Sequence, residues 1–331
     1  MVKSGARHMQ SAPDEYVTDN KVTYHKNPDY RIAGEPHIDK LEIDMMSDVN
    51  TMMSAMLNKE VGVALKFESD SIIKQLQNAG FTAIGRKTAN VADIKHIIWN
   101  SKSDKHPMGD LKVRQAIMHA IPWDDVAGAL SGGIGEATPL FAAPDSWAYK
   151  EGTEFYEYNI DLAKSMLAEA GYPNGIDLRV TVNTKYQGNV AIATAFQQQA
   201  KAAGINVEVE QVDSAAWSDM KKSGGVDCGI SNWYVDYSDP ESMLYPMTKT
   251  DTNSSFWHNA EFDKLMDEGI ATTDEAERQE IYKKAEHIMT REDWATTPLY
   301  NETKFYLLNP RITGFEMDAT FRMFWKNADI Q

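Results

Sequence analysis

The chain has 331 residues, of which 42% are hydrophobic and 10% aromatic, and this is enough to bury a sizeable core in about two domains or lobes. Its 49 acidic residues against 33 basic ones give a formal charge of -16, with no dense run of Lys or Arg, so we expect no nucleic-acid partner. No apolar stretch approaches the roughly 20 residues that span a bilayer.

The first nine residues, 1–9, are predicted to be a leader left by cloning. They end in His8-Met9, a pair typical of a cloning junction, and they contain no apolar segment of the kind found in a secretory signal. We therefore predict that this chain carries no signal peptide, and the search for folded elements starts after residue 9.

The predicted elements of the first half of the chain are a strand and three helices. Leu41, Ile43 and Met45 alternate with polar residues, which is the period of a half-buried strand, and a helix is predicted from about 52 to 57. Apolar residues at helical spacing then predict helices over 113–121 and 162–170.

The middle of the chain carries the clearest periodicity. A strand at 178–182 is followed by a helix that ends at Gly204, and a second strand covers 205–209. A short helix with Ser214 as its N-cap then leads to a third strand at 226–233. Strands that alternate with helices in this way favour parallel pairing in an α/β lobe. Two further strands are predicted at 304–308 and 321–325.

A search for catalytic or metal-binding motifs finds little. The single cysteine, Cys228, excludes an internal disulfide and a cysteine-based zinc site, and it lies in an apolar run that predicts burial. The eight histidines are scattered without a metal-binding spacing, and Gly132–Gly135 lacks the context of a phosphate loop. We therefore expect no bound metal and no cofactor.

Two Ser-x-x-Lys tetrads leave an enzymatic interpretation open. They pair Ser71 with Lys74 and Ser218 with Lys221, and on a helix such spacing would place the lysine beside the serine as an activating base. The corresponding alternative function is a promiscuous, esterase-like hydrolase. Because the tetrad is common by chance and its usual partner motifs are absent, the sequence favours a binding protein over an enzyme.

Several segments, in the same order, resemble the periplasmic or lipid-anchored solute-binding proteins that serve oligopeptide, dipeptide and nickel ABC importers. The resemblance covers about 16–325 and rests on these segments: Asn27-Pro28-Asp29-Tyr30, Val113-Arg114-Gln115-Ala116-Ile117, Leu167-Ala168-Glu169-Ala170-Gly171-Tyr172-Pro173 and Asn232-Trp233-Tyr234-Val235-Asp236-Tyr237-Ser238-Asp239-Pro240. It implies a class II, peptide-binding type of periplasmic-binding-protein fold.

The resemblance also implies a particular division of the chain. Family members carry a long region before the Asn-Pro-Asp-Tyr strand, so this chain is interpreted as N-terminally truncated. Residues 112–303 would form one complete α/β lobe, 10–111 a partial first lobe, and 304–331 the strands that return to it. A lobe that lacks strands would expose sheet edges, so a self-assembling interaction module is a further alternative function.

The same resemblance implies a solute-binding role with delivery of the ligand, most simply a peptide, to the membrane permease of an ABC importer. By position, Asp236 matches the aspartate that meets a peptide's α-ammonium. Trp233 and Tyr234 would supply flat apolar walls, and Asn232 and Tyr237 complete the predicted ligand-binding set. The implied location is periplasmic, or extracellular with a lipid anchor.

Overall fold

A computed structural model describes residues 15–18, 20–46, 48–67, 70–86, 93–101, 107–130, 136–142, 147–148, 153, 155–234, 239–248, 257–302, 304–317 and 323–331. Its strands are β1 Glu15–Val17, β2 Lys21–His25, β3 Lys40–Asp44, β4 Val63–Phe67, β5 Thr82–Arg86, β6 Asp93–Trp99, β7 Glu136–Ala137, β8 Ile176–Asn183, β9 Ile205–Val212, β10 Cys228–Tyr234, β11 Thr296–Glu302, β12 Lys304–Leu308, β13 Ile312–Thr313, β14 Glu316–Met317, β15 Met323–Phe324 and β16 Asp329–Ile330.

The helices are α1 Val49–Leu57, α2 Asp70–Asn78, α3 Leu111–His119, α4 Trp123–Leu130, α5 Ile160–Glu169, α6 Gln187–Ala200, α7 Ser214–Ser223, α8 Glu241–Thr248, α9 Ala260–Ala271 and α10 Glu275–His287. A π-helical turn at Ile288–Glu292 follows α10 directly. Within the described ranges, no helix combines the length and the apolar character that a bilayer crossing requires.

The chain divides into two compact units. The first comprises Met1–Lys87 and Lys304–Gln331, and the second comprises Thr88–Thr303. The first unit contains two three-stranded sheets with the strand orders β1-β2-β3 and β4-β12-β5, and all of their pairings are antiparallel. Strand β12, from the end of the chain, is therefore the central strand of the second sheet.

The boundary between the first and the second unit lies earlier in the chain than the one expected near residue 111. Strand β6 belongs to the second unit, where it pairs with β10 on one side and with β11 on the other. Its residues Ile94, Ile97, Ile98 and Trp99 are buried, since they lie in the centre of a six-stranded sheet. The boundary between the two units therefore lies at residues 87–88, because a strand that is paired along both edges belongs to the unit that contains its partner strands.

The second unit is built on a sheet with the order β7-β11-β6-β10-β8-β9. Within it, β8 pairs in parallel with β9 and with β10, which confirms the parallel unit predicted from alternating strands and helices. Helix α6 ends in a short 3-10 turn before Gly204, whose φ of 82° is left-handed, as the sequence predicts. Cys228 is fully buried in β10, in agreement with its predicted burial.

Helices α6 and α7 cover opposite faces of this sheet. Phe196 of α6 belongs to the main core together with Val180 and Ile230. Trp217 of α7 packs instead with Ile98 and Val226 in a separate cluster. Because side chains alternate between the two faces of a strand, the neighbour of Ile230, Gly229, faces Trp217, and a Cβ at Gly229 would lie 2.4 Å from that indole.

The N-cap of α7 is Asp213 rather than the predicted Ser214. The Asp213 carboxylate accepts hydrogen bonds from the backbone N–H groups of Ala215 and Ala216, at 2.9 and 2.8 Å. A carboxylate one residue earlier reaches both amides, so the helix begins at Ser214 itself.

We expect Asp213→Ala to lower the free energy of unfolding by about 1 kcal/mol, because two amide groups of the first turn lose their acceptor. Urea denaturation of the purified protein measures this loss. Asp213→Asn retains an acceptor oxygen and is the matched control. An Ala variant as stable as the Asn variant would show that the cap contributes nothing.

Candidate functional site

A cavity of 320 Å³ lies at the carboxyl edge of the parallel strands in the second unit. Strand β8 leads there into α6 and β9 leads into α7, and these two helices leave the edge on opposite faces of the sheet. In open α/β sheets such a divergence opens a crevice, and ligands bind in it. The cavity is lined by His96, Ile98, Asn183, Lys185, Tyr186, Asn189, Ser214, Trp217, Lys221, Ile230, Ser231, Asn232, Trp233 and Thr296.

Two buried polar atoms of this cavity lack a hydrogen-bond partner among the described residues. One is the side-chain oxygen Oδ1 of Asn189, a residue only 1% exposed, and the other is Nε1 of Trp233. The Asn189 amide nitrogen donates to Asn232 Oδ1 at 3.2 Å, which fixes the orientation of the amide. A buried polar group without a partner loses its hydration, so a ligand that supplies the missing partners is favoured. A ligand would satisfy both atoms with one hydrogen-bond donor for Asn189 Oδ1 and one acceptor for Trp233 Nε1.

The cavity carries positive charge within an acidic protein. The Lys221 ammonium lies 5.5 Å from the centre of the Trp217 ring, and the Lys185 ammonium lies 5.7 Å from that of Tyr186. Burial, and secondarily the neighbouring charge of Lys222, lower the pKa of Lys221. No Asp or Glu is found among the described residues that line the cavity, so its charge complements an anionic ligand group.

Two of the predicted ligand-binding residues line this cavity. Asn232 and Trp233 are half-buried near the end of β10. Tyr234 is the last residue of β10, and its side chain is not described. Asp236 and Tyr237 lie outside the described residues, so their part in the site stays a prediction.

The two Ser-x-x-Lys tetrads lie on helices of different units. Ser71 and Lys74 are exposed on α2 in the first unit. Ser218 and Lys221 lie on α7, where Lys221 lines the cavity and Ser218 does not. The pairing of a nucleophile with its base therefore stays a prediction.

The sequence prediction did not include Asn183, Lys185 or Asn189. Asn183 is the last residue of β8, and Asn189 lies in the first turn of α6. Polar residues at a strand-to-helix junction of a predicted parallel sheet are the signal that would have identified them, since such junctions converge on the ligand crevice.

An ion pair holds the chain immediately after the undescribed residues 235–238. The Arg278 guanidinium donates to both carboxylate oxygens of Asp239, at 2.9 and 3.2 Å. Arg278 also donates to the carbonyl oxygen of Gly269 at 2.9 Å and lies 5.4 Å from the Trp147 ring centre and 5.2 Å from that of Tyr282. Asp239 also accepts a hydrogen bond from the Glu241 N–H at 3.1 Å, as a residue in a turn does, and the ion pair adds an anchor for this residue.

A family model for the bacterial extracellular solute-binding proteins, family 5, middle region, matches residues 12–255. The heme-binding protein A of Haemophilus influenzae is 26% identical over 91% of this chain and 55% of its own length. The dipeptide-binding protein of Escherichia coli is 24% identical over 96% of this chain and 60% of its own length. The chain therefore spans a little over half the length of these curated relatives.

Solved structures share the fold. A dipeptide-binding protein from Pseudoalteromonas, in complex with Met-Leu, superimposes with a TM-score of 0.82 at 24% identity and covers 98% of this chain and 64% of its own. NikA from Brucella suis, in complex with Fe(III)-EDTA, gives a TM-score of 0.84 at 17% identity, with 98% and 68% covered. These structures confirm the predicted periplasmic-binding-protein-like α/β fold, and the family model covers well over half of the sequence. This chain belongs to family 5 of the bacterial extracellular solute-binding proteins.

Proposed function

We propose that this chain binds a short peptide at the carboxyl-edge cavity of its second unit, as the solute-binding component of an ABC importer. The observation that carries the proposal is the pair of unpartnered polar atoms, Asn189 Oδ1 and Trp233 Nε1, in a cavity at a strand-to-helix crevice. A peptide group offers one N–H donor and one C=O acceptor, and these match the two missing partners.

The charge of the cavity supports a ligand with a carboxylate. Lys185 and Lys221 contribute ammonium groups, whereas the described lining contributes no carboxylate. The terminal carboxylate or an acidic side chain of a peptide would neutralise this excess charge. The aromatic faces of Trp217 and Trp233 tolerate apolar side chains of varied shape, which suits a ligand class rather than one compound.

The α-ammonium of the peptide is assigned to Asp236. Asp236 lies three positions after Trp233 along the chain, so it is close in sequence to the indole that the peptide would contact. The proposal extends to an extracytoplasmic location, periplasmic or lipid-anchored, and to delivery of the peptide to membrane permease subunits. The family description and the E. coli and Pseudoalteromonas relatives, both named for dipeptides, support it.

Titration calorimetry with di- to pentapeptides is the direct test. We expect Asp236→Asn to weaken peptide binding by roughly 10- to 100-fold, because a hydrogen bond to a charged partner contributes about 1.5 to 3 kcal/mol. Peptides with an acetylated N-terminus should bind the wild type and Asp236→Asn with equal affinity, since they carry no ammonium for the carboxylate to meet.

Asp219→Asn is the matched control, because it makes the same chemical change on an exposed position of α7 outside the cavity lining. It should bind every peptide as the wild type does. If no peptide of two to five residues releases or absorbs heat with the wild type, peptide binding is contradicted. If acetylated and free peptides lose equally in Asp236→Asn, the assignment of the ammonium is wrong.

A further inference from the structure

Part of the carboxyl-edge cavity lies between the sheet and α7. The Ile98 side chain packs with Trp217 of α7, so it marks the face of the sheet that this helix covers. His96 lies two residues before Ile98 in β6, and Thr296 of β11 is paired with Ile98. Ser231 of β10 is paired with His96. These side chains share one face, because side chains alternate along a strand and directly paired residues point to the same side. All of them line the cavity, and we call the part between this face and α7 the α7 pocket.

One side of α7 lines the α7 pocket. Ser214, Trp217 and Lys221 follow one another at spacings of three and four residues, which places them on the same face of the helix. The Ser214 hydroxyl accepts a hydrogen bond from the side-chain amide of Asn183 at 3.1 Å, so α7 starts at the carboxyl end of β8. The Trp217 ring lies against Gly229 near the start of β10, so α7 runs from the strand ends back along the sheet. Lys221 lies roughly 10 Å beyond Ser214 along the helix axis, and its side chain is therefore inside the pocket rather than at its mouth.

The Lys221 ammonium is half-buried and has no carboxylate partner in the described part of the chain. Its ammonium lies 5.5 Å from the centre of the Trp217 ring. Other partly shielded cations of the second unit do pair with a carboxylate, namely Arg179 with Asp227 and Arg278 with Asp239. Removing an ammonium from water costs free energy, which a nearby aromatic face offsets only in part. An anionic group of a ligand would supply the missing partner.

The walls of the α7 pocket favour a group with an apolar stem and a carboxylate at its end. The Trp217 ring and the Ile98 side chain line the pocket beside Lys221, whereas the polar groups of Ser214 and Asn183 lie at the strand ends. Main-chain N–H and C=O groups placed against the apolar wall would lose their hydration, so a peptide backbone is favoured at the strand ends. A glutamate side chain has two methylene groups before its carboxylate and fits this arrangement. An aspartate side chain has only one.

We propose that Lys221 determines specificity for peptides that contain a glutamate, by binding the glutamate carboxylate inside the α7 pocket. This proposal rests on peptide binding at the carboxyl-edge cavity and narrows the ligand class to acidic peptides. The backbone of the peptide stays at the strand ends, near Asn189 and Trp233, and the glutamate side chain extends along the Trp217 ring.

Titration calorimetry with matched peptides and variants tests the pairing as a double-mutant cycle. Three tripeptides place one glutamate at the first, second or third position among alanines, and each has a glutamine counterpart of the same shape without the charge. We expect the wild type to bind at least one glutamate peptide about tenfold or more tightly than its glutamine counterpart, because a charge-assisted hydrogen bond is lost with glutamine. Lys221→Met keeps an apolar side chain of similar length, and it should bind the two peptides of that pair equally. An aspartate at the same position should give a smaller preference.

Lys222→Met is the matched control, because it removes the neighbouring cation of α7 from an exposed position outside the cavity lining. It should keep the preference for glutamate. Lys221→Arg retains a cation and should keep part of that preference. Circular dichroism of the three variants verifies that they are folded.

Two results would separate this proposal from peptide binding itself. If peptides bind but glutamate and glutamine counterparts bind equally at all three positions, peptide binding stands and the role of Lys221 is wrong. A glutamate preference that survives in Lys221→Met, or that is lost equally in Lys222→Met, would also overturn the proposal. If amidation of the peptide C-terminus weakens binding to the wild type but not to Lys221→Met, Lys221 binds the chain terminus and the assignment to glutamate is wrong. If none of the tripeptides binds, the proposed function and this inference are both contradicted.

Discussion

Replacing Glu286 with glutamine is expected to remove a loss of stability that the wild-type protein should undergo as the pH rises from about 4.5 to about 7. Glu286 is 3% exposed, and its Oε1 accepts hydrogen bonds from the backbone N–H groups of Phe141 and Ala142, the second at 3.0 Å. Burial, the largest cause, raises the pKa of this carboxyl from 4.5 to about 7, although the two amides and Arg291 act in the opposite direction.

The sign of the effect follows from the protons bound in each state. In the unfolded chain the Glu286 carboxyl loses its proton near its ordinary pKa, whereas in the folded protein it keeps the proton until about pH 7. Stability associated with this group is therefore complete below the unfolded pKa and falls as the pH rises towards the folded one. A pKa difference of this size corresponds to a loss of about 3 kcal/mol.

Urea denaturation at several pH values measures this loss. Glu286→Gln keeps an acceptor oxygen for the two amides but cannot ionise, so the difference between the two stability curves isolates the carboxyl from all other titrating groups. Glu286→Ala removes the acceptor as well and should be destabilised at every pH. Wild-type and Gln variants with parallel curves would show that burial does not raise the pKa of Glu286.

Much of the second unit follows from local sequence pattern. The alternation from 178 to 182, the helical spacing up to Gly204 and the next alternation each describe a segment whose environment is set by its neighbours along the chain. The parallel pairing could be inferred as well, because a helix between two strands leaves few other connections.

The position of β6 in the sheet, between β11 and β10, could not be predicted from the residues of the strand itself. Ile97, Ile98 and Trp99 form a short apolar run that suits any buried strand, and nothing in it indicates β10 and β11 as partners. Those partners are more than a hundred residues away, so the pairing depends on tertiary packing rather than on local preference. For the same reason, the division into compact units at residues 87–88 could not be located from local sequence pattern.

The candidate site was predicted in part. Trp233 was identified because it belongs to a short continuous motif, whereas Asn189 reaches the same cavity from another element and is indicated only by its place at a strand-to-helix junction. The role proposed for Asn189 rests on an Oδ1 atom that has no hydrogen-bond partner among the described residues, and this is a property of three-dimensional packing.

Replacing Arg278 with methionine is expected to lower the free energy of unfolding by about 3 kcal/mol, because it leaves the Asp239 carboxylate without its bidentate partner at a site where both side chains are largely shielded. The exposed fractions of the two side chains are 22% and 23%. The loss includes the stacking of the guanidinium near Trp147 and Tyr282, which a methionine retains only as apolar contact.

The matched control is Lys284→Met, which removes a cation from the same helix. Lys284 pairs with Glu261 at 2.6 Å, but both side chains are 58% exposed, so water replaces the partner and little stability should be lost. Urea denaturation separates the two variants, and Arg278→Lys, which retains charge but not the two parallel hydrogen bonds, should be intermediate.

Because Asp239 follows directly on the segment that carries Asp236, Arg278→Met should also weaken peptide binding in calorimetry, whereas Lys284→Met should not. Equal losses of unfolding free energy in the two Met variants would show that the partly shielded ion pair between Arg278 and Asp239 contributes no more than an exposed one, and would contradict this prediction.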